Sequence, residues 1–240
     1  MARALSVLAS VAVLAAAVVG AGAPSATAAK KPAVKPVQEL AALRTTHKVI
    51  SRGRGGPSHA GTIHAREPIT GGQTILPVIG HAATKRGADW LQVMLPGRPN
   101  GRTGWISKRG TIAEATSWHV VVKTATRQVL VYNKGRVVQS FGAIVGKPST
   151  PTPHGKFYVE ESIRMRADAA GAPFALATSA RSNVLQEFEG GPGQIALHGV
   201  GNIGGTIGTA VSHGCVRLAN PDVSWLAAHL GPGVPVTITN

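Results

Sequence analysis

The chain has 240 residues, a formal net charge of +15 and one cysteine. That length allows one or two domains with a buried core, and a hydrophobic content of 43% argues against wholesale disorder. A single cysteine excludes an intramolecular disulfide and any multi-cysteine zinc or iron–sulfur site. The 25 basic against 10 acidic side chains call for an anionic partner or anionic surroundings. DNA, acidic lipid and an anionic cell-wall polymer all meet that description.

The N-terminus bears on the compartment. Arg3 is a short basic region, and Leu5 to Val19 is an Ala/Val/Leu run interrupted only by Ser6 and Ser10. Pro24 and Ser25 break it, and Ala26-Thr27-Ala28 is the small-x-small pattern that a signal peptidase accepts. Residues 1–28 therefore read as a cleaved signal peptide, against the alternative of an uncleaved membrane anchor. Its removal takes away Arg3 and leaves a net charge of +14. The expected location is secreted, extracytoplasmic and cell-wall associated, with no stable membrane anchor after cleavage. Export also demotes nucleic acid as the partner, since no nucleic-acid motif is present and aromatic residues are only 4% of the chain.

Residues 29–44, with Lys30, Lys31, Pro32, Lys35 and Pro36, read as a basic tether. From 45 to 116, short strand patterns are cut by Gly, Pro and Asn, which marks a small β domain. Trp90 to Leu95 reads as a strand that turns through Pro96-Gly97-Arg98-Pro99-Asn100-Gly101 into Thr103-Gly104-Trp105-Ile106. Residues 89–106 resemble the last strands of a bacterial SH3-like barrel, which carry W-x-x-V and a G-W-[IV] ending. Charge is uneven: residues 29–116 hold 14 Lys/Arg against 4 Asp/Glu, and residues 117–240 hold 10 against 6. An anionic wall polymer is thus expected to meet the N-terminal part, unless those charges serve solubility alone.

Residues 117–240 carry a stronger β signal. Trp118 to Lys123 and Gln128 to Tyr132 are two strands, and Asn133-Lys134-Gly135 makes a tight turn into a strand from Val137 to Val145. Further strands are expected at Phe157 to Glu160, Phe174 to Thr178, Gln194 to Val200 and Val234 to Ile238. One helix is well marked. Asn220 is its expected cap, Pro221 suits the first helical position, and Asp222 favours the positive dipole end. Val223, Leu226, Ala227 and Leu230 make its apolar face, and Gly231 stops it.

Chemistry concentrates around the cysteine. Leu197-His198-Gly199 is followed by twelve residues and then by Ser212-His213-Gly214-Cys215-Val216-Arg217-Leu218. A lone cysteine in an exported protein is an inert core residue or a reactive thiol, and two nearby histidines favour the thiol. A thiol with a pKa near ~8.5 is only partly ionised at neutral pH, and an imidazolium stabilises its thiolate and can return a proton to a leaving amine. Gly214 permits a turn closed to other residues, and the backbone N–H groups of the Gly214–Cys215 turn are candidate oxyanion donors. Arg217 offers a fork for a substrate carboxylate, or else an internal salt bridge. A metal site of His198, His213 and Cys215, with His154, is the competing reading. It lacks both the H-E-x-x-H pattern and a C-x-x-C pair.

The pattern H-G-x12-S-H-G-C-V-R resembles the signature of the L,D-transpeptidase catalytic domain. Gly146-Lys147-Pro148-Ser149-Thr150-Pro151-Thr152-Pro153-His154-Gly155-Lys156-Phe157 resembles that family's G-x-x-x-T-P-T-P-x-G-x-F segment. The resemblance covers residues 117–240. It implies a mainly β fold, with a β-sandwich-like catalytic domain preceded here by a small SH3-like β-barrel. It also implies Cys215 as nucleophile, His198 as general base and acid, and the Gly199 carbonyl as the group that orients His198. His213 becomes a supporting group, although the sequence leaves open which histidine is the base. Ser212 and Gly214 shape the pocket, with Ser212 and Arg217 on the substrate, and His154 is incidental. Stem peptides of peptidoglycan are the implied donor and acceptor, joined 3→3 through a thioester with release of D-alanine. No metal or organic cofactor is implied. Resolution by water would make an L,D-carboxypeptidase, and a non-catalytic peptidoglycan-binding protein is the alternative from another class. The segment Arg164 to Pro173 reads as loop and is a candidate lid.

Overall fold

The computed structural model describes residues 34–53, 56–83, 87, 89–188 and 190–240; the expected signal peptide lies outside them. Among the described residues no helix is long and apolar enough to cross a membrane. Residues 34–240 form one compact unit built on two large sheets.

Seven short strands make the first sheet: β1 (Gln38–Leu43), β2 (His47–Gly53), β3 (Gly56–Ile63), β4 (Ile75–Ala83), β5 (Asp89–Met94), β6 (Thr103–Ser107) and β7 (Thr111–Thr116). They pair antiparallel in the order β3-β2-β6-β5-β4-β1-β7, a barrel-like sheet around Leu43, Val49, Leu76, Leu91, Val93 and Ile106. The tether expected over 29–44 ends early. Leu40, Ala41, Ala42 and Leu43 are buried, and β1 pairs on both sides, with β4 and β7. Four consecutive apolar residues, Leu40 to Leu43, outweigh the Lys/Pro run before them.

The second sheet begins at β8 (Trp118–Lys123) and β9 (Gln128–Asn133). A two-residue turn follows, with Lys134 at φ 50° and Gly135 at φ 75°, the left-handed pair that suits a hairpin's twist. β10 (Arg136–Gly142) then stops short of the expected Val145. Ile144 leaves the hairpin to exchange both backbone hydrogen bonds with Arg217, at 2.9 Å each, before β11 (Val145–Gly146). The remaining elements are β12 (Gly155–Arg164), β13 (Phe174–Arg181), β14 (Gln194–Gly199), β15 (Ala210–Ser212), β16 (Val216–Leu218), α1 (Asn220–His229) and β17 (Pro235–Thr239).

The eight-stranded order is β10-β9-β8-β17-β12-β13-β14-β16, and β11 pairs separately with β15. β12 joins two layers: residues 155–158 pair with β17, and residues 159–164 pair with β13, with a register shift between Val159 and Glu161. Val120, Val131, Phe157, Leu176, Leu197, Val216 and Val236 fill the space between the layers. α1 covers that core with Val223 and Leu226, so the helix backs the strand that carries His198.

The helix start departs from expectation. Ala219, not Asn220, is the N-cap residue, and no side chain caps it. At the other end, Leu230 is the C-cap in an extended conformation, and its N–H returns to the Leu226 carbonyl.

The two sheets are joined through polar contacts and one shared side chain. Tyr158 of β12 is wholly buried in the core of the first sheet. Glu161 accepts the backbone N–H groups of Ile69 and Thr70, at 3.3 and 2.6 Å.

Candidate active site

β14 and β16 lie side by side and parallel, with Leu197 opposite Val216 and His198 opposite Arg217. This register carries Cys215, just before β16, to a position beside Ala196, in the middle of the strand that presents His198. The Cys215 Sγ accepts the Ala196 N–H at 3.4 Å and lies 3.9 Å from the Gln194 carbonyl oxygen. His198 stands two residues beyond Ala196, on the same face of the strand. Both Cys215 and His198 are half-buried, open enough for a substrate.

The His198 ring is tied to its own strand. Its Nδ1 lies 2.8 Å from the Gly199 carbonyl oxygen. A carbonyl only accepts, so Nδ1 bears the proton and the lone pair of a neutral ring sits on Nε2. Gly199 is held in turn: its N–H donates to the Gly171 carbonyl at 2.9 Å, and a Cβ at Gly199 would stand 2.0 Å from the Ala172 carbonyl oxygen. Gly171, at φ +90°, packs on the ring so closely that a Cβ there would stand 2.6 Å from His198 Nδ1. Loop 165–173, the candidate lid, thus rests on His198 through a residue that only glycine can supply.

The cysteine turn is held from behind. Ser212 is wholly buried, and its hydroxyl donates to the Cys215 carbonyl at 2.6 Å and accepts the Gly214 N–H at 3.1 Å. Ser212 thus forms the turn from a buried position, and the Gly214 N–H is satisfied within it. Gly214 itself has φ +122°, where glycine is favoured. The Thr-Pro-Thr-Pro segment braces the same turn: Thr150 Oγ1 donates to the Ser212 carbonyl at 3.2 Å and Thr152 Oγ1 to the Gly214 carbonyl at 2.8 Å. Thr152 also accepts the Gly146 N–H at 2.9 Å. The two sequence motifs are therefore halves of one structure.

His213 is exposed, and its ring centroid lies 5.4 Å from that of Phe188. His154 is exposed and hydrogen-bonds Thr124 at 2.8 Å. Arg217 is 8% exposed and reaches the Gly204 carbonyl at 3.3 Å. Among the described residues no ion pair includes it, and its Nε has no hydrogen-bond partner. The internal salt bridge weighed from the sequence is therefore not formed there. Among the described residues no group of three or more His, Cys, Asp or Glu side chains is arranged to hold a metal ion.

Three contributors escaped the sequence reading. Gly171 offered no signal beyond being a loop glycine. Asn220, expected as a helix cap, instead accepts the Val200 N–H at 3.1 Å and fixes the chain after His198-Gly199. Behind the thiol, the Gln194 side chain donates to Glu160 at 3.1 Å, and Glu160 pairs with Arg181 at 3.1 Å. Burial pushes the Glu160 carboxyl up, and the Arg181 guanidinium opposes that shift.

A family model described as the L,D-transpeptidase catalytic domain, YkuD, matches residues 117–238. The chain belongs to this family. YkuD of Bacillus licheniformis, an L,D-transpeptidase by assignment and not by demonstration, is 28% identical over 175 residues, covering 70% of this chain and 94% of its own. The Bacillus subtilis YkuD, assigned in the same way, is 32% identical over 121 residues, 50% of this chain and 65% of its own. Among solved structures, L,D-transpeptidase 3 from Mycobacterium tuberculosis, in complex with a faropenem-derived adduct, is 15% identical with a TM-score of 0.45. The match covers 70% of this chain and 91% of that one. L,D-transpeptidases act on the stem peptides of peptidoglycan. In this member, the family's segment contains both the Cys215 turn and the strand of His198.

Proposed function

We propose that this protein is an exported L,D-transpeptidase that forms 3→3 peptidoglycan cross-links through a thioester on Cys215. One observation carries the reading: the Cys215 sulfur sits on the Ala196 N–H, on the strand that presents His198 with its Nδ1 held by the Gly199 carbonyl. A basic Nε2 beside a thiol is the pairing that nucleophilic acyl transfer requires.

The Cys215 thiolate attacks the carbonyl carbon that joins the L-centre of a diamino acid to the terminal D-alanine of a tetrapeptide stem. The carbon–nitrogen bond breaks, His198 protonates the leaving amine, and D-alanine departs from a thioester. A side-chain amine of a second stem then attacks the thioester and gives its proton to His198, and the thiolate is released. Arg217 is buried and has no carboxylate partner among the described residues, which supports a further assignment, since a substrate carboxylate would supply a counter-ion. His213, turned toward Phe188, is a supporting group and not the base. The barrel-like first sheet is read as an SH3-like module that holds an anionic wall polymer, and residues 1–28 as a signal peptide.

Intact-mass analysis after incubation with a carbapenem tests the reading. One covalent adduct is expected on the wild-type chain and none on Cys215→Ala. A folded wild-type chain with a titratable thiol and an unchanged mass would overturn it. Incubation with a tetrapeptide stem then separates outcomes: cross-linked dimer marks a transpeptidase, tripeptide without dimer a carboxypeptidase, and binding without thioester a non-catalytic wall protein.

A further inference from the structure

The segment 182–193, which connects β13 to β14, ends one residue before Gln194, whose carbonyl meets Cys215. Within it Phe188 and Gly191 exchange backbone hydrogen bonds at 2.9 and 3.0 Å. Phe188 is 40% exposed, and its ring leans over His213, two residues from Cys215, with an interplanar angle of 32°. Phe188 and His213 together form an exposed aromatic pair at the segment that leads into Cys215.

The first sheet holds this loop. The turn between β5 and β6 sends two side chains across to it. Arg98 donates to three carbonyls, those of Ser182 at 2.8 Å, Leu185 at 2.9 Å and Pro192 at 2.9 Å. One guanidinium thereby ties the outgoing and the returning ends of the loop together. A lysine ammonium could not reproduce that planar fork. Asn100 acts like a strand partner to Arg181: its Oδ1 accepts the Arg181 N–H at 2.8 Å, and its Nδ2 donates to the Arg181 carbonyl at 2.7 Å. Among the described residues Arg98 has no carboxylate partner, and the three loop carbonyls accept hydrogen bonds from its guanidinium. The fit is close on the loop side as well. Gly193 has φ +62°, and a Cβ there would stand 2.1 Å from the Leu185 carbonyl oxygen and 3.1 Å from Arg98.

We propose that Arg98 and Asn100 are positioning residues for stem-peptide recognition: they fix loop 182–193 so that Phe188 and His213 present a ready-formed aromatic pair to the peptide beside Cys215. The inference rests on the substrate class proposed above and gives the first sheet a role in the site itself, besides any hold on the wall. Without the clamp the loop must be ordered when the peptide binds, and that cost appears as weaker binding. Reaction with a carbapenem, which is small and met chiefly by Cys215 and His198, changes little.

Calorimetric titration of a tetrapeptide stem into the Cys215→Ala chain, with and without Arg98→Ala, reads this directly. The dissociation constant is expected to rise about tenfold in Arg98→Ala, a loss of the size expected for one ordered loop. Arg98→Lys should recover only part of it. Phe188→Ala, which removes an exposed ring and leaves the clamp intact, should reproduce the loss, and the double variant should bind no more weakly than either single one. Equal binding with and without Arg98, or fully additive losses in the double variant, would overturn the inference. The carbapenem adduct on a chain that keeps Cys215 is scored separately: an absent adduct with intact peptide binding counts against the thioester mechanism and not against the clamp.

Discussion

Cys215 and His198 arrive on neighbouring strands, yet they are secured by different means. The cysteine turn is held by side chains: Ser212 from within, Thr150 and Thr152 from behind. On the histidine side the supports are backbone and shape: the Gly199 carbonyl, the bare face of Gly171 and, against Gly199, the Ala172 carbonyl. Hydroxyl braces tolerate small displacements, because each bond is one of several. A ring packed on a glycine does not, because the first added atom lands on it. The histidine side is therefore expected to be the more fragile one.

The largest effect should come from Gly171→Ala. Its Cβ would stand 2.6 Å from His198 Nδ1, at a φ of +90° that alanine adopts only with strain. The ring must shift, and a displacement of this kind costs about 100-fold in rate. Carbapenem acylation followed by mass against time measures it. A near-normal acylation rate in Gly171→Ala would break the proposed asymmetry between the two sides.

Thr152→Val tests the cysteine side at nearly constant volume. It leaves the Gly214 carbonyl and the Gly146 N–H without their partner. Unpaired buried groups cost about 1–3 kcal/mol each, largely as lost stability. With Ser212 and Thr150 still in place, acylation should slow by about tenfold, while the melting temperature falls by several degrees. A loss of rate greater than that of Gly171→Ala would reverse the comparison.

The contrast also explains what could be read from the sequence. The Thr-Pro-Thr-Pro and Ser-His-Gly-Cys segments stand out because side chains with special chemistry do the bracing, and such residues leave a pattern. Gly171 leaves none, since loop glycines are common and its need for a bare face appears only when His198 is seen against it. Asn220 was misread for a physical reason. Asn before Pro at a helix start is a strong local cap signal, but a long-range partner, the Val200 N–H, wins the side chain. The tether over 29–44 failed similarly: its charge pattern is local, whereas the burial of β1 depends on strands far along the chain. Most strands of the second sheet were legible because apolar β runs are bounded by turn residues. The break at Ala143 was not, because its cause is Arg217, far along the chain.

A smaller effect is expected from Asn220→Ala, which tests a side-chain contribution on the histidine side. It removes one acceptor from the Val200 N–H, just after Gly199. Because Gly199 keeps its bonds to His198 and Gly171, the acylation rate should fall only a few-fold, as for the loss of one hydrogen bond of about 1 kcal/mol. A loss of 100-fold, as predicted for Gly171→Ala, would mean that Asn220 and not the glycine face sets the ring's position.

The smallest effect on acylation is expected at Glu67, in the loop between β3 and β4 and outside both supports. Glu67 is 9% exposed, and burial pushes its pKa from the ordinary 4.5 up to about 7. Glu160 and Glu161 add to the rise, whereas Thr74 and Arg181 oppose it. The folded protein therefore holds this proton more tightly than the unfolded chain. Stability is greatest below pH 4.5 as far as this group is concerned, and it is lost as pH rises toward 7, by up to about 3 kcal/mol. Glu67→Gln removes that loss. Its melting temperature should exceed that of the wild type at pH 8, and the gap should close toward pH 5, while carbapenem acylation at pH 7 stays unchanged. Thermal unfolding of both chains across that range checks it, and parallel melting curves would show that the buried carboxyl is not what is titrating. A change in acylation at Glu67 would tell more, because it would mean that the first sheet reaches Cys215 through the buried Glu160–Gln194 contacts as well as through the Arg98 clamp.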